Sequence, residues 1–234
     1  MRPSQQLPRL ALLLLLTASC HRSGGIDAPV SVNVVDALPT GSTIIPVFAT
    51  TPIPYYLAQT IPSNSALQYA PSGGSDPLYV VRNKDTTQRI FSGTLNLSPG
   101  AIYSFFLSGD TTRPDTLLVQ DNIPVYTDSS AGVRFVNLSP GSQPVEVNLK
   151  GSTSGQSEFS NLGYKQIGAF KKYAAVSSVP GRQYIFEVRS QEGDSLLLTY
   201  TWAYTLHKNN TLVLSGSTVS GTGQPLHIFQ VNNY

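Results

Sequence analysis

Cysteine is almost missing from this 234-residue chain: there is one, Cys20. No disulfide can form within the chain, and no zinc site built on several cysteines is available to it. Charge is sparse as well. Asp, Glu, Lys and Arg make up 12% of the residues, about half the usual ~25%. That disfavours a coiled coil, a charged linker and a nucleic-acid-binding surface. Nucleic acid calls for a clustered basic patch, and the nearest thing to a basic run is the pair Lys171-Lys172. Glutamate occurs four times and histidine three times. No apolar stretch approaches the ~20 residues of a membrane-spanning helix. Low-complexity disorder is excluded too, because 19 Gly and 17 Pro fall below the ~25–30% that marks it. With 40% hydrophobic residues, the chain can bury a core.

What is present begins with an address. Arg2 and Arg9 precede a seven-residue apolar run, Leu10 to Leu16, then the small residues Thr17, Ala18 and Ser19, then Cys20. This is the charged, apolar and small-residue order of a secretory signal. Leu16-Thr17-Ala18-Ser19-Cys20 resembles a bacterial lipobox, which implies lipidation of Cys20 and a mature N-terminus there; Thr17 stands where the usual pattern has Leu. Acyl chains anchor through ~0.8 kcal/mol per buried CH₂. The expectation is a signal peptide at 1–19 and a lipidated Cys20 with a tether at 20–28. Loss of Arg2 and Arg9 would leave 13 basic against 13 acidic residues, a formally neutral protein. The tether has no acidic run after the cysteine, which favours the periplasmic over the surface face of, by expectation, the outer membrane.

Strand signals dominate the rest. Val30 to Val34 alternates, as does Tyr184 to Arg189. From Leu196 to Leu206 the even positions are Leu196, Leu198, Tyr200, Trp202, Tyr204 and Leu206, and the odd ones are mostly Thr. Period two separates a bulky face from a polar one. Pro99-Gly100 and Pro180-Gly181 suit type II turns, and His207 to Asn210 reads as a hairpin loop. Val34-Val35-Asp36-Ala37-Leu38-Pro39 aligns with Phe135-Val136-Asn137-Leu138-Ser139-Pro140, and Leu107-Ser108-Gly109 with Leu214-Ser215-Gly216. A unit of roughly a hundred residues therefore occurs twice, the size of an immunoglobulin-like sandwich. The predicted architecture is all-β: two tandem immunoglobulin-like antiparallel β-sandwiches, 29–126 and 131–234, joined by a short small-residue linker.

The string Ala131 to Gly141 resembles the opening of the bacterial domain-of-unknown-function family 4397. Pro144 to Gly151, Val179-Pro180-Gly181 with Tyr184 to Arg189, Asn210 to Gly216 and Leu226 to Asn232 are similar to its later strands. The likeness spans nearly all of 131–234 and patches of 29–126, best at Ala101 to Asp121; Tyr55 to Gly74 departs from it. The resemblance implies an envelope lipoprotein of Bacteroidota type, with no activity and no catalytic residue to transfer.

No G-x-S-x-G, Walker A, G-x-G-x-x-G or H-E-x-x-H string occurs. His21, His207 and His227 show no ligand spacing, and no cofactor or metal is expected. Asp110 and Asp115 flank a turn that reads as turn-capping or as a calcium loop. The twelve tyrosines and Trp202 are the richer set. Tyr200-Trp202-Tyr204 packs a core or forms a platform for sugar or peptide. Tyr55 and Tyr56, in the Pro-rich stretch Pro52 to Pro62, cover a sandwich end or present rings to a ligand. The candidate ligand contacts are thus Tyr55, Tyr56 and Trp202. The expected function is a non-catalytic, lipid-anchored envelope module with a protein or glycan partner. The alternatives are a glycan-binding or glycoside-acting protein with paired carboxylates, and an adhesin or filament subunit joined by edge strands.

Overall fold

The computed structural model describes residues 28–109, 114–152, 156–217 and 223–233. The signal segment 1–19, Cys20, nearly all of the tether 20–28 and Asp110 lie outside the described residues.

Fifteen strands and no α-helix are described. The first seven are β1 (Ser31–Asp36), β2 (Ile44–Val47), β3 (Ser65–Tyr69), β4 (Gly74–Arg82), β5 (Asp85–Leu97), β6 (Ile102–Gly109) and β7 (Pro114–Gln120). They form a sheet in the order β3-β1-β6-β7 and a second of β2-β4-β5. The other eight are β8 (Ser130–Asn137), β9 (Val145–Leu149), β10 (Phe159–Leu162), β11 (Lys171–Ala174), β12 (Gln183–Ser190), β13 (Leu196–Ala203), β14 (Asn209–Ser215) and β15 (His227–Asn232). They form sheets β11-β8-β14-β15 and β10-β9-β12-β13. The antiparallel expectation holds for most pairs. The inner pairs β1/β6 and β8/β14 are parallel, with Val34 opposite Phe105 and Val136 opposite Val213.

The two four-stranded inner sheets share one strand order, and their local hydrogen bonds coincide. Ala37 N–H donates to Leu107 O, and Leu138 N–H to Leu214 O. Asn64 N–H donates to Asp36 O, and Lys165 N–H to Asn137 O, with Asn64 and Lys165 both in the left-handed region. Asp36 Oδ1 accepts from Leu38 N–H as Asn137 Oδ1 accepts from Ser139 N–H. The aligned strings Val34–Pro39 and Phe135–Pro140 therefore occupy equivalent places.

Four sheets stack as four layers, with an apolar core in each of the three spaces between them. Val32, Val34, Val80, Leu95 and Phe105 fill the space between the first two sheets. Phe135, Val147, Phe186, Trp202 and Leu212 fill the corresponding space in the second half. The third core joins the halves: Val35, Ala37 and Phe106 meet Val136, Leu138, Val213, Phe229 and Val231. The inner strands are consequently covered on both faces, and every residue of β8 and β14 is buried.

That junction also buries polar groups. The Arg134 guanidinium lies 2.8 Å from Asp121, with side chains 5% and 1% exposed. It also donates to Thr211 Oγ1 and Ser104 Oγ, and Ser104 Oγ–H donates to Asp121. A charge this deep is tolerated only when paired and hydrogen-bonded. The equivalent serines of β6 and β14 each reach across: Ser108 bonds the Tyr164 hydroxyl and Ser215 donates to Ala37 O.

Two turn expectations have different outcomes. At Ser98-Pro99-Gly100-Ala101 the Ala101 N–H closes on Ser98 O, with Gly100 at φ 76° as a type II turn requires. The expected His207–Asn210 hairpin is absent. β13 and β14 belong to different sheets, so residues 204–208 turn a corner between layers. His207 N–H donates to Ser130 O, and Lys208 O accepts from Gly132 N–H.

Candidate functional site

The link between β2 and β3 carries the candidates Tyr55 and Tyr56. Pro52, Pro54 and Pro62 fix φ and remove donors from this stretch. Tyr55–Leu57 forms a single 3-10 turn, closed by Leu57 N–H on Pro54 O and Ala58 N–H on Tyr55 O, each 3.0 Å. Tyr55 packs with Ile53 and Ala58 against Ile45, Val47, Tyr79 and Val81 on the outer face of β2-β4-β5. Its hydroxyl meets that of Tyr79; burial first, and this contact second, push the Tyr79 phenol up. Tyr79 also donates to Thr51 O. Tyr55 is thus the anchor of the turn. Tyr56 and Leu57 project beyond it, 86% and 73% exposed.

Beside the turn, the Arg89 guanidinium sits 4.1 Å above the Tyr79 ring and donates to Thr50 O. Stacking on an aromatic face holds a cation without burying it. Arg89 and Tyr79, with Thr50 and Ser92, border a cavity of about 250 Å³. Leu57 and Arg89 were not among the sequence candidates. Leu57 could have been read from its place after Tyr55-Tyr56. Arg89 had no local signal, because only the β4/β5 pairing, Val81 opposite Arg89, brings it to Tyr79.

Trp202 requires a correction. It is 0% exposed, packed among Tyr173, Tyr184, Phe186 and Tyr204, and its Nε1–H donates to Asn210 Oδ1 at 2.9 Å. It presents no ring to a ligand, because the large face of β13 turns inward while Thr199 and Thr201 face solvent.

The remaining polar candidates serve the scaffold. Asp115 accepts from the Tyr164 hydroxyl and pairs with Lys165. Lys171 and Lys172 pair with Glu158 and Asp128. His227 Nδ1 contacts Pro225 O. Among the described residues no three His, Cys, Asp or Glu side chains converge on a point that could hold a metal.

The geometry defines an all-β sandwich protein that carries a braced, exposed aromatic turn. The profile of the family described as a domain of unknown function, DUF4397, matches residues 31–148. The chain belongs to this family. The match covers the first half and reaches β9, whereas the likeness seen in the sequence was fullest over 131–234. Comparison with curated proteins gives no match. Among solved structures the chain is similar to CBMbc, a family CBM26 module of Eubacterium rectale Amy13K crystallised with maltoheptaose. That likeness has 8% identity over 86% of this chain and 96% of the other, with a TM-score of 0.27. It is also similar to a candidate adhesin of Bacteroides ovatus, at 9% identity over 86% and 95% of the two chains, with a TM-score of 0.21. No function follows from likeness at these scores.

Proposed function

We propose that the chain is a non-catalytic, lipid-anchored module of the cell envelope that docks a protein or glycan partner through the Tyr56–Leu57 turn. The observation that carries this is the exposure of Tyr56 and Leu57 on a turn locked by proline and by the partly buried Tyr55. A large apolar side chain held rigidly in water loses little entropy when a partner covers it. The anchor rests on Leu10 to Leu16 and Cys20, and the outer membrane is the proposed site. The reading that the second half is a further copy of the family domain is supported by the shared strand order and the matched Asp36 and Asn137 contacts.

Two variants test the function. Cys20→Ala is expected to abolish labelling by radioactive palmitate and release the protein from membranes; a labelled, membrane-bound variant would refute the anchor. Tyr56→Ser/Leu57→Ser is expected to lose a stoichiometric partner that the native protein retains from solubilised envelopes. Equal recovery would refute docking at the turn.

One observation favours a second reading, subunit assembly by strand addition. β13 is a sheet edge of eight uncharged residues with Leu196 and Leu197 exposed. Unprotected edges of this kind pair with other chains. Concentration-dependent mass in light scattering, abolished by Leu197→Lys, would establish it.

A further inference from the structure

The exposed turn has a cation built in beside it. Tyr79 connects the two: its hydroxyl meets Tyr55, and its ring face carries the Arg89 guanidinium at 4.1 Å. Arg89 is exposed, yet it is held twice, by that ring and by Thr50 O at 3.2 Å. A guanidinium has about five N–H groups to donate, and none of the ion pairs among the described residues uses this one. The cavity of about 250 Å³ that it borders is lined further by Thr50, Ser92 and Thr94, and by no acidic residue. Arg89 is therefore a fixed donor fork that lacks its usual partner, a carboxylate.

The surroundings share this sign. Asp85 stands opposite Arg82 across the β4/β5 hairpin, so those two charges offset one another. Lys84, in the link of the same hairpin, takes part in no ion pair among the described residues. The stretch 50–64, which carries the turn, contains no charged residue. Lys84 and Arg89 thus leave this end of the outer sheet positive, in a chain whose basic and acidic residues otherwise nearly balance.

We infer that the partner of the turn is an acidic segment of another protein. One of its carboxylates takes the free N–H groups of Arg89, while an apolar side chain beside it covers Tyr56 and Leu57. The inference rests on the docking reading of that turn and adds the chemistry of what docks. Charge complementarity selects the acid, and Leu57 selects protein. An acidic glycan could stack on Tyr56, but it brings no apolar side chain to cover an aliphatic one that is 73% exposed. An anionic membrane is the poorer match as well, since such surfaces are held by clusters of about 4–8 Lys and Arg. Arginine and tyrosine together in a small patch are the side chains that dominate protein interfaces.

The test is selection of random dodecapeptides displayed on phage against the solubilised full-length protein. Peptides that bind are expected to carry Asp or Glu next to a large apolar residue. The best of them is then titrated by fluorescence anisotropy, beside a version with Asn and Gln in place of its acids. The amide version is expected to bind the native protein at least about tenfold more weakly. Arg89→Met, which keeps an apolar stem over Tyr79, should retain the native melting temperature and bind both versions equally weakly. An empty selection, recovered peptides without acids, or indifference to the acid-to-amide change would each overturn the inference; the last needs no variant of the protein. So would binding of oligogalacturonate or of phosphatidylglycerol vesicles at Arg89 where no peptide is recovered. A peptide that ignores Arg89 but is lost with Tyr56→Ser/Leu57→Ser would refute the acidic partner alone, whereas full binding to that double variant would refute docking at the turn.

Discussion

Replacing Asp36 by Asn should stabilise this protein, and by an amount that depends on pH. Asp36 closes β1 and is fully buried. One carboxyl oxygen accepts from Leu38 N–H at 3.0 Å, and the other has no partner. Its equivalent in the second half is Asn137, which accepts from Ser139 N–H in the same way but also donates from Nδ2 to Leu162 O and Ser142 Oγ. A carboxylate cannot donate, whereas a protonated acid or an amide can. Burial accordingly pushes the Asp36 carboxyl from 3.8 to about 7, against a smaller downward effect of the Leu38 N–H. Because the folded value is raised, the native state keeps its proton between pH 3.8 and 7 while the unfolded chain releases it. The contribution to stability is full below pH 3.8 and is lost as pH rises through 7. At 1.36 kcal/mol per pH unit the loss reaches about 4 kcal/mol, a large part of the ~5–15 kcal/mol that holds a domain together. Asp36→Asn keeps the shape, supplies the donor and never ionises. Urea unfolding at several pH values, followed by Trp202 fluorescence and far-ultraviolet dichroism, reads the difference between variant and native protein. It should be small near pH 4 and grow to about 4 kcal/mol by pH 8. Other titrating groups cancel in this difference. A gap that is constant across pH would refute the reasoning.

The other predictions concern the junction and the core. Arg134→Met leaves Asp121 buried and uncompensated and should cost about 3–5 kcal/mol, while Arg134→Met/Asp121→Leu should recover most of it; chemical denaturation of the three proteins decides. Gly132→Ala should destabilise by about 1–3 kcal/mol, because a Cβ there would collide with Asn209 Oδ1 and meet the Tyr126 hydroxyl at 2.8 Å; a melting temperature equal to native would contradict this. Trp202→Phe should cost about 1–3 kcal/mol by stranding Asn210 Oδ1, and native Trp202 should resist acrylamide quenching until the protein unfolds. Free quenching in the native state would contradict its burial.

Much of the fold was legible because strand and turn chemistry is local. Alternation along Leu196–Ala203 gave the right inward face, including the burial of Trp202 as one of two open readings. Pro99-Gly100 gave the right turn. The hairpin at His207 failed because a short polar link looks the same whether the next strand joins the same sheet or the next layer. The candidate site was half legible. Three prolines around Tyr55-Tyr56 marked a stiff aromatic segment, but which ring anchors and which projects depended on Ile45, Val47 and Tyr79 lying beneath it.

By itself the sequence determined that the chain is all-β and that related strings recur about a hundred residues apart, because period two and Pro-Gly turns are properties of neighbouring residues. It also marked Cys20, through the order of the residues before it. The tertiary structure alone decided what covers each face. Ser104 on one inner sheet and Arg134 and Thr211 on the other are polar residues of strands, yet the two inner sheets close over one another and bury all three. The raised Asp36 carboxyl and the Arg134–Asp121 pair both follow from that stacking. A two-residue period says that a strand has two faces, and only the packing of the layers says which of them meets water.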